Sequence, residues 1–131
     1  MKNKISGIID KVNLKPFELI FVDNSMDIFE RIKTINKISE KNCSNKIVII
    51  HDFEYYPYRE ACKNFKFRFR FKSLNPNTGV LWNNNKLDIN KLKKIENLIK
   101  SLQNKTSIKS YNKFLLSEKF KNQLNLIVKY D

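Results

Sequence analysis

Glycine is nearly missing from this chain of 131 residues, with two copies, at positions 7 and 79. So little glycine excludes a glycine-rich phosphate-binding turn, which needs several glycines close together for the backbone to approach its ligand. The two cysteines, Cys43 and Cys62, match no metal-ligand spacing, and they read as small residues in a loop and on a helix. No secretory signal and no run of about 18 apolar residues is present, so a reduced, soluble, cytoplasmic protein without a membrane span is expected. Histidine occurs once, at position 51. Arginine is scarce as well: of 26 basic residues four are Arg (31, 59, 68 and 70) and 22 are Lys, against 13 acidic residues and a net charge of +13. Lysine together with abundant Asn and Ile is what an AT-rich coding sequence produces. Such dispersed charge attracts polyanions without by itself building a site. No internal repeat appears, and the length suits one domain with a modest core.

The most informative stretch is residues 46–54, KIVIIHDFE. Its unbroken branched aliphatic run reads as a strand buried on both faces, the kind found in a parallel sheet flanked by helices. His51, Asp52 and Glu54 then fall at its carboxyl end, where open α/β sheets place their ligands.

The flanking segments build an α/β pattern around it. Residues 1–15 read as a short helix stopped by Pro16, and residues 17–22, FELIFV, as a second buried strand ending in Asp23. Asn24 or Ser25 is positioned to cap the next helix, with Asp27 in its first turn. That helix carries Ile28, Ile32, Ile35 and Ile38 on one face, while Glu30, Arg31, Lys33 and Lys37 occupy the others. Strand, helix and strand of these lengths form a right-handed βαβ unit with parallel strands. Residues 55–65 read as a helix starting near Pro57. Residues 65–72, FKFRFRFK, alternate strictly as a half-buried antiparallel strand near an edge, and the turn at 75–79 makes it a hairpin with residues 80–82. Residues 87–102 and, more weakly, 111–124 are helical, and residues 124–130 read as a short strand. The division expected is 1–85 as an α/β unit and 86–131 as a helical extension packed on it, one domain overall.

Taken together, FELIFVD, the amphipathic helix, KIVIIHDFE, a helix, FKFRFRFK and TGVLW resemble the carboxyl-terminal half of class I S-adenosylmethionine-dependent methyltransferases. The resemblance covers about residues 17–82. It implies a partial Rossmann-like sheet, two parallel strands with acidic ends followed by an antiparallel hairpin at the sheet edge. That family holds its methyl donor on a glycine-rich turn after its first strand and an acidic residue after its second, and no such series precedes Phe17. The resemblance therefore implies a fragment, a split enzyme or a relic, supplying the acceptor side of a methyl-transfer site and inactive alone. A complementing donor-binding chain or a second copy would pair with the open edge of residues 17–22.

The candidate catalytic residues are Asp23, His51 and Asp52. The resemblance to metal-dependent O-methyltransferases makes Asp23 and Asp52 candidate magnesium ligands, hard carboxylates at adjacent strand ends. Phe53 stands where that subgroup carries a further amide ligand. The plainer reading is that both carboxylates cap the helices after them. His51 has the chemistry of a general base near neutral pH, although neighbours in an extended segment point opposite ways. Glu54, Tyr55, Tyr56, Tyr58 and Arg59 would line the rim. A second function is binding of nucleic acid, specifically RNA, by Lys66, Arg68, Arg70 and Lys72. Their charges lie opposite the strand's aromatics, so a basic edge strand that resists aggregation is the favoured reading of them. A third is an interaction subunit pairing through its sheet edge.

Overall fold

The computed structural model describes residue 14 and residues 17–23, 26–40, 45–104 and 117–130. The helix expected over residues 1–15 lies outside them except for Leu14, as do Asn24, Ser25 and Cys43. The chain is α/β. Strand β1 (Leu19–Val22) leads through helix α1 (Ile28–Glu40) to β2 (Ile47–Ile50), then through α2 (Tyr56–Ala61) to β3 (Phe67–Phe71) and β4 (Thr78–Trp82). Helices α3 (Ile89–Gln103) and α4 (Glu118–Tyr130) follow. Two compact units result, Met1–Lys86 and Leu87–Asp131.

The four strands form one mixed sheet in the order β1-β2-β4-β3. β1 and β2 are parallel, with Val22 opposite Ile50, and β4 lies antiparallel between β2 and β3. This is a partial Rossmann-like arrangement, a parallel βαβ unit completed by an antiparallel hairpin. β1 and β3 are its edges among the described residues.

The pleat sorts the side chains. Val22, Val48, Ile50 and Leu81 project to one face, where they meet Ile35 and Ile38 of α1, Tyr58 of α2, Cys62 just after it, Phe53 and Phe65. Ile35 and Ile38, each 1% exposed, contribute about 1.5–3 kcal/mol apiece as fully buried aliphatics. The opposite face carries Phe67, Phe69 and Phe71 of β3, as the alternation predicted, together with Val80 and Trp82. Trp82 is buried and stacks on Phe67, ring centroids 5.4 Å apart.

β1 is not the fully buried strand expected. Only Val22 is buried, while Phe17, Leu19 and Phe21 are 52%, 56% and 60% exposed at alternating positions. An edge strand has a neighbour on one side only, so aliphatic content did not guarantee cover on both faces. The cap of α1 is Asp27, whose Oδ1 accepts from the backbone N–H groups of Phe29 (2.8 Å) and Glu30 (3.2 Å). The following helix is the six residues of α2, shorter than the 55–65 predicted; Phe65 is buried in the core and not part of β3. In the second unit α3 and α4 pack on each other, with Leu92, Ile99 and Phe120 buried. The strand expected over 124–130 is helix, since Phe120, Leu124 and Ile127 fall at helical spacing. Residues 111–116 of the helix expected at 111–124 lie outside the described residues. No helix of the described residues is long and apolar enough to cross a membrane.

Candidate functional site

Asp23 follows β1 directly and His51 and Asp52 follow β2, so parallel pairing brings all three to one end of the sheet. The His51 backbone N–H donates to the Val22 carbonyl at 3.1 Å, which locks the two strand ends together. Asp52 then turns the chain sharply, with φ at 56° in the left-handed region. Asp tolerates that region better than most residues. The turn also defeats the expectation that neighbouring side chains diverge: His51 Nδ1 lies 3.4 Å from Oδ1 of both Asp23 and Asp52.

The residue that organises the cluster is Arg31, which the helical pattern had assigned to a solvent face. Its side chain is 3% exposed. Its guanidinium donates to Asp52 Oδ2 at 2.8 Å, to Asp23 Oδ1 at 3.2 Å and to the His51 carbonyl at 3.2 Å. It stands 5.1 Å from the centre of the Tyr58 ring beneath it. Burial pushes the Tyr58 phenol up, with Arg31 acting in the opposite direction. Two signals for Arg31 were present in the sequence. It lies four and seven residues before Ile35 and Ile38, on the buried stripe of α1, and it is one of only four arginines beside 22 lysines.

Arg31 also corrects the reading of Asp23 and Asp52 as helix caps. Asp27 caps α1, and α2 begins after Tyr55 with no side-chain cap. Both aspartates are instead bound by the arginine. Nδ1 of His51 is buried and has no hydrogen bond, although 31% of the side chain remains exposed through the rest of the ring. One carboxylate oxygen of Asp23 and one of Asp52 stand on the Nδ1 side. Phe21 meets the imidazole edge-on at 6.4 Å.

Asp23, His51 and Asp52 each offer a ligand atom within 4.8 Å of one another. The charge count opposes a resident magnesium ion, because Arg31 reduces two carboxylates to a net of one negative charge. Magnesium also favours oxygen over imidazole ligands. No step below depends on a metal.

The other predicted residues separate. Glu54, Tyr55 and Tyr56 are exposed, and Tyr58 is buried under Arg31. The phenol of Tyr56 is raised by its hydrogen bond to Glu60. Arg59 donates to the carbonyls of Phe53 (3.2 Å) and Glu54. Of the basic stripe, only Arg68 and Arg70 belong to β3. They project to the face that bears Leu81 and Gly79, whereas Lys66 Nζ sits 5.2 Å from the centre of the Phe67 ring, which belongs to the other face. Lys72 follows the strand and is exposed.

No protein-family model, no curated protein and no solved structure matches this chain.

Proposed function

We propose that this chain supplies the acceptor side of a class I methyltransferase-like site, completed by a donor-binding chain. The observation that carries the reading is the sheet itself: two parallel strands with acidic ends, followed by an antiparallel hairpin, with the one histidine at the strand ends. A second support is β1, which as an edge presents Phe17, Leu19 and Phe21, apolar side chains that a further strand and its helix would cover.

Gly79, the one glycine among the described residues, leaves no open face for S-adenosylmethionine. A glycine that admits a cofactor must have an open face, and a Cβ built on Gly79 would come within 2.5 Å of the Phe53 ring, which fills that space. The donor, held on the complementing chain, supplies an electrophilic methyl group. This chain's part is the proton. His51 Nε2 accepts it from an acceptor hydroxyl, and the imidazolium that forms lies against Asp23 and Asp52. Arg31 is a positioning residue that fixes both carboxylates on the Nδ1 side. The test is methyl transfer to hydroxyl acceptors by the chain co-expressed with the polypeptide encoded immediately upstream. His51→Gln should lower the rate by about 100-fold or more. Full activity in that variant would overturn the assignment.

A further inference from the structure

Three of the four arginines, Arg59, Arg68 and Arg70, line a single cavity of about 130 Å³ with Phe53 and Phe69. We propose that this cavity binds the phosphoryl end of a small-molecule ligand. In a chain with 22 lysines and four arginines, no lysine among the described residues lines this cavity. Lysine meets a general need for charge, whereas arginine presents a planar fork that matches the oxygens of a phosphoryl group.

Among the described residues, no carboxylate lines the cavity. Among the described residues none of the three arginines pairs with Asp or Glu. Arg59 is anchored on the carbonyls of Phe53 and Glu54, and Arg70 Nε donates to Asn77 Oδ1 at 2.6 Å. Each anchor is neutral and engages a single nitrogen, so both groups are held in place with other donors unspent. Arg68 makes no hydrogen bond among the described residues, and its charge is felt by the Cys62 thiol across the same face. The Glu54 carboxylate is engaged by the Asn77 backbone N–H at 3.0 Å and is not among the described lining residues; guanidinium groups gathered on one face repel one another, and an anion reduces that repulsion. A phosphate monoester carries about −1.5 to −2 charge at pH 7 and three acceptor oxygens, a closer match than a carboxylate with one charge and two oxygens.

The size suits a head group. The cavity is open to solvent on the side of the exposed Arg68, and its 130 Å³ is enough to seat an anionic head group whose remainder lies outside. The Phe53 ring would meet the group that carries the phosphate, since the Phe69 side chain projects to the other face of the sheet and contributes its backbone to the lining. Lys66 and Lys72 are absent from the lining, which separates this cavity from a strand-long track for a nucleic-acid backbone. Nothing in the proposal requires methyl transfer.

The test is calorimetric titration of the full chain, at fixed ionic strength, with inorganic phosphate and with phenyl phosphate. Saturable binding at one site is expected. Arg68→Lys should weaken it by about tenfold or more, since the charge stays and the fork is lost. Lys66→Ala, which removes a charge beside the other face, should leave it within about twofold. Tighter binding of phenyl phosphate identifies a phosphate ester as the ligand; tighter binding of inorganic phosphate identifies the free ion. The absence of saturable binding by either overturns the proposal, as does equal weakening in the two variants. An RNA oligonucleotide that binds without competition from phosphate, and loses affinity equally in both variants, would instead establish a diffuse polyanion surface and overturn it too.

Discussion

Replacing Arg31 by methionine keeps much of the apolar stem and removes the guanidinium that three acceptors share. The Asp52 contact, 2.8 Å long to a side chain 30% exposed, is the strong one, in the range of ~1.5–3 kcal/mol for a charge-assisted bond. The Asp23 contact, 3.2 Å to a side chain 44% exposed, is screened by water and adds ~0.5 kcal/mol. Loss of the stack on Tyr58 adds ~1 kcal/mol. Part of this is recovered by burying the methionine, and a net destabilisation of about 3 kcal/mol is expected. Arg31→Lys keeps the charge but cannot reach all acceptors at once, so about 2 kcal/mol is expected for it. Urea unfolding gives these values, and a double-mutant cycle isolates the pair terms. Asn is the right partner substitution at position 52 because it accepts the left-handed backbone there. Coupling of Arg31→Met with Asp52→Asn should be about 2 kcal/mol, and with Asp23→Asn about 0.5 kcal/mol. Stability of Arg31→Met within ~0.5 kcal/mol of the native chain would refute the central role given to this arginine.

Gly79→Ala places a methyl group 2.5–2.6 Å from Phe53 ring atoms. Phe53 is 3% exposed and cannot swing away freely, so a loss of about 1–3 kcal/mol in urea unfolding is expected. Cys62 is fully buried and its thiol is pushed up to about 12 by that burial, Arg68 acting weakly against it. In a Cys43→Ser background the native chain should resist a thiol reagent at about pH 8, and react only on unfolding. The same raised value gives a pH dependence of known sign. The unfolded thiol ionises near 9.0 and the folded one near 12, so the stabilisation is complete below the first value and is lost as pH rises toward the second. The slope of stability against pH in that window should be shallower in Cys62→Ala by up to ~1.4 kcal/mol per pH unit.

The sheet was legible because hydrophobic pattern and element length agreed. IVII between a polar loop and a polar cluster left few alternatives to a central strand, and FRFRF fixed the faces of β3 by simple alternation. What could not be read was the environment of each face. FELIFV has the composition of a covered strand, yet its exposure depends on its place at the edge, which no local pattern encodes. The terminal helix was mistaken for a strand because LNLIVKY also alternates over its first residues, and only the spacing from Phe120 separates the two periods.

The site was half legible. Asp23, His51 and Asp52 stood out as polar residues at strand ends, and parallel pairing is enough to bring them together. Arg31 was passed over because charged residues on an amphipathic helix are normally solvated, and this one falls on the apolar stripe between Ile28 and Ile35. The left-handed turn at Asp52 brings both side chains to one place, and the residue after it, Phe53, packs against Gly79, a contact distant in sequence that no local pattern encodes. The cavity near Arg68 depends equally on that packing, since Phe53 forms one of its walls.

The proposed division of labour between chains is tested most directly by calorimetric titration with S-adenosylmethionine. The chain alone should show no heat of binding. With a chain that carries a strand, glycine-rich turn and helix, encoded upstream, binding should appear at one donor per pair. Stoichiometric binding of the donor to this chain by itself would contradict the assignment of the donor site to a partner.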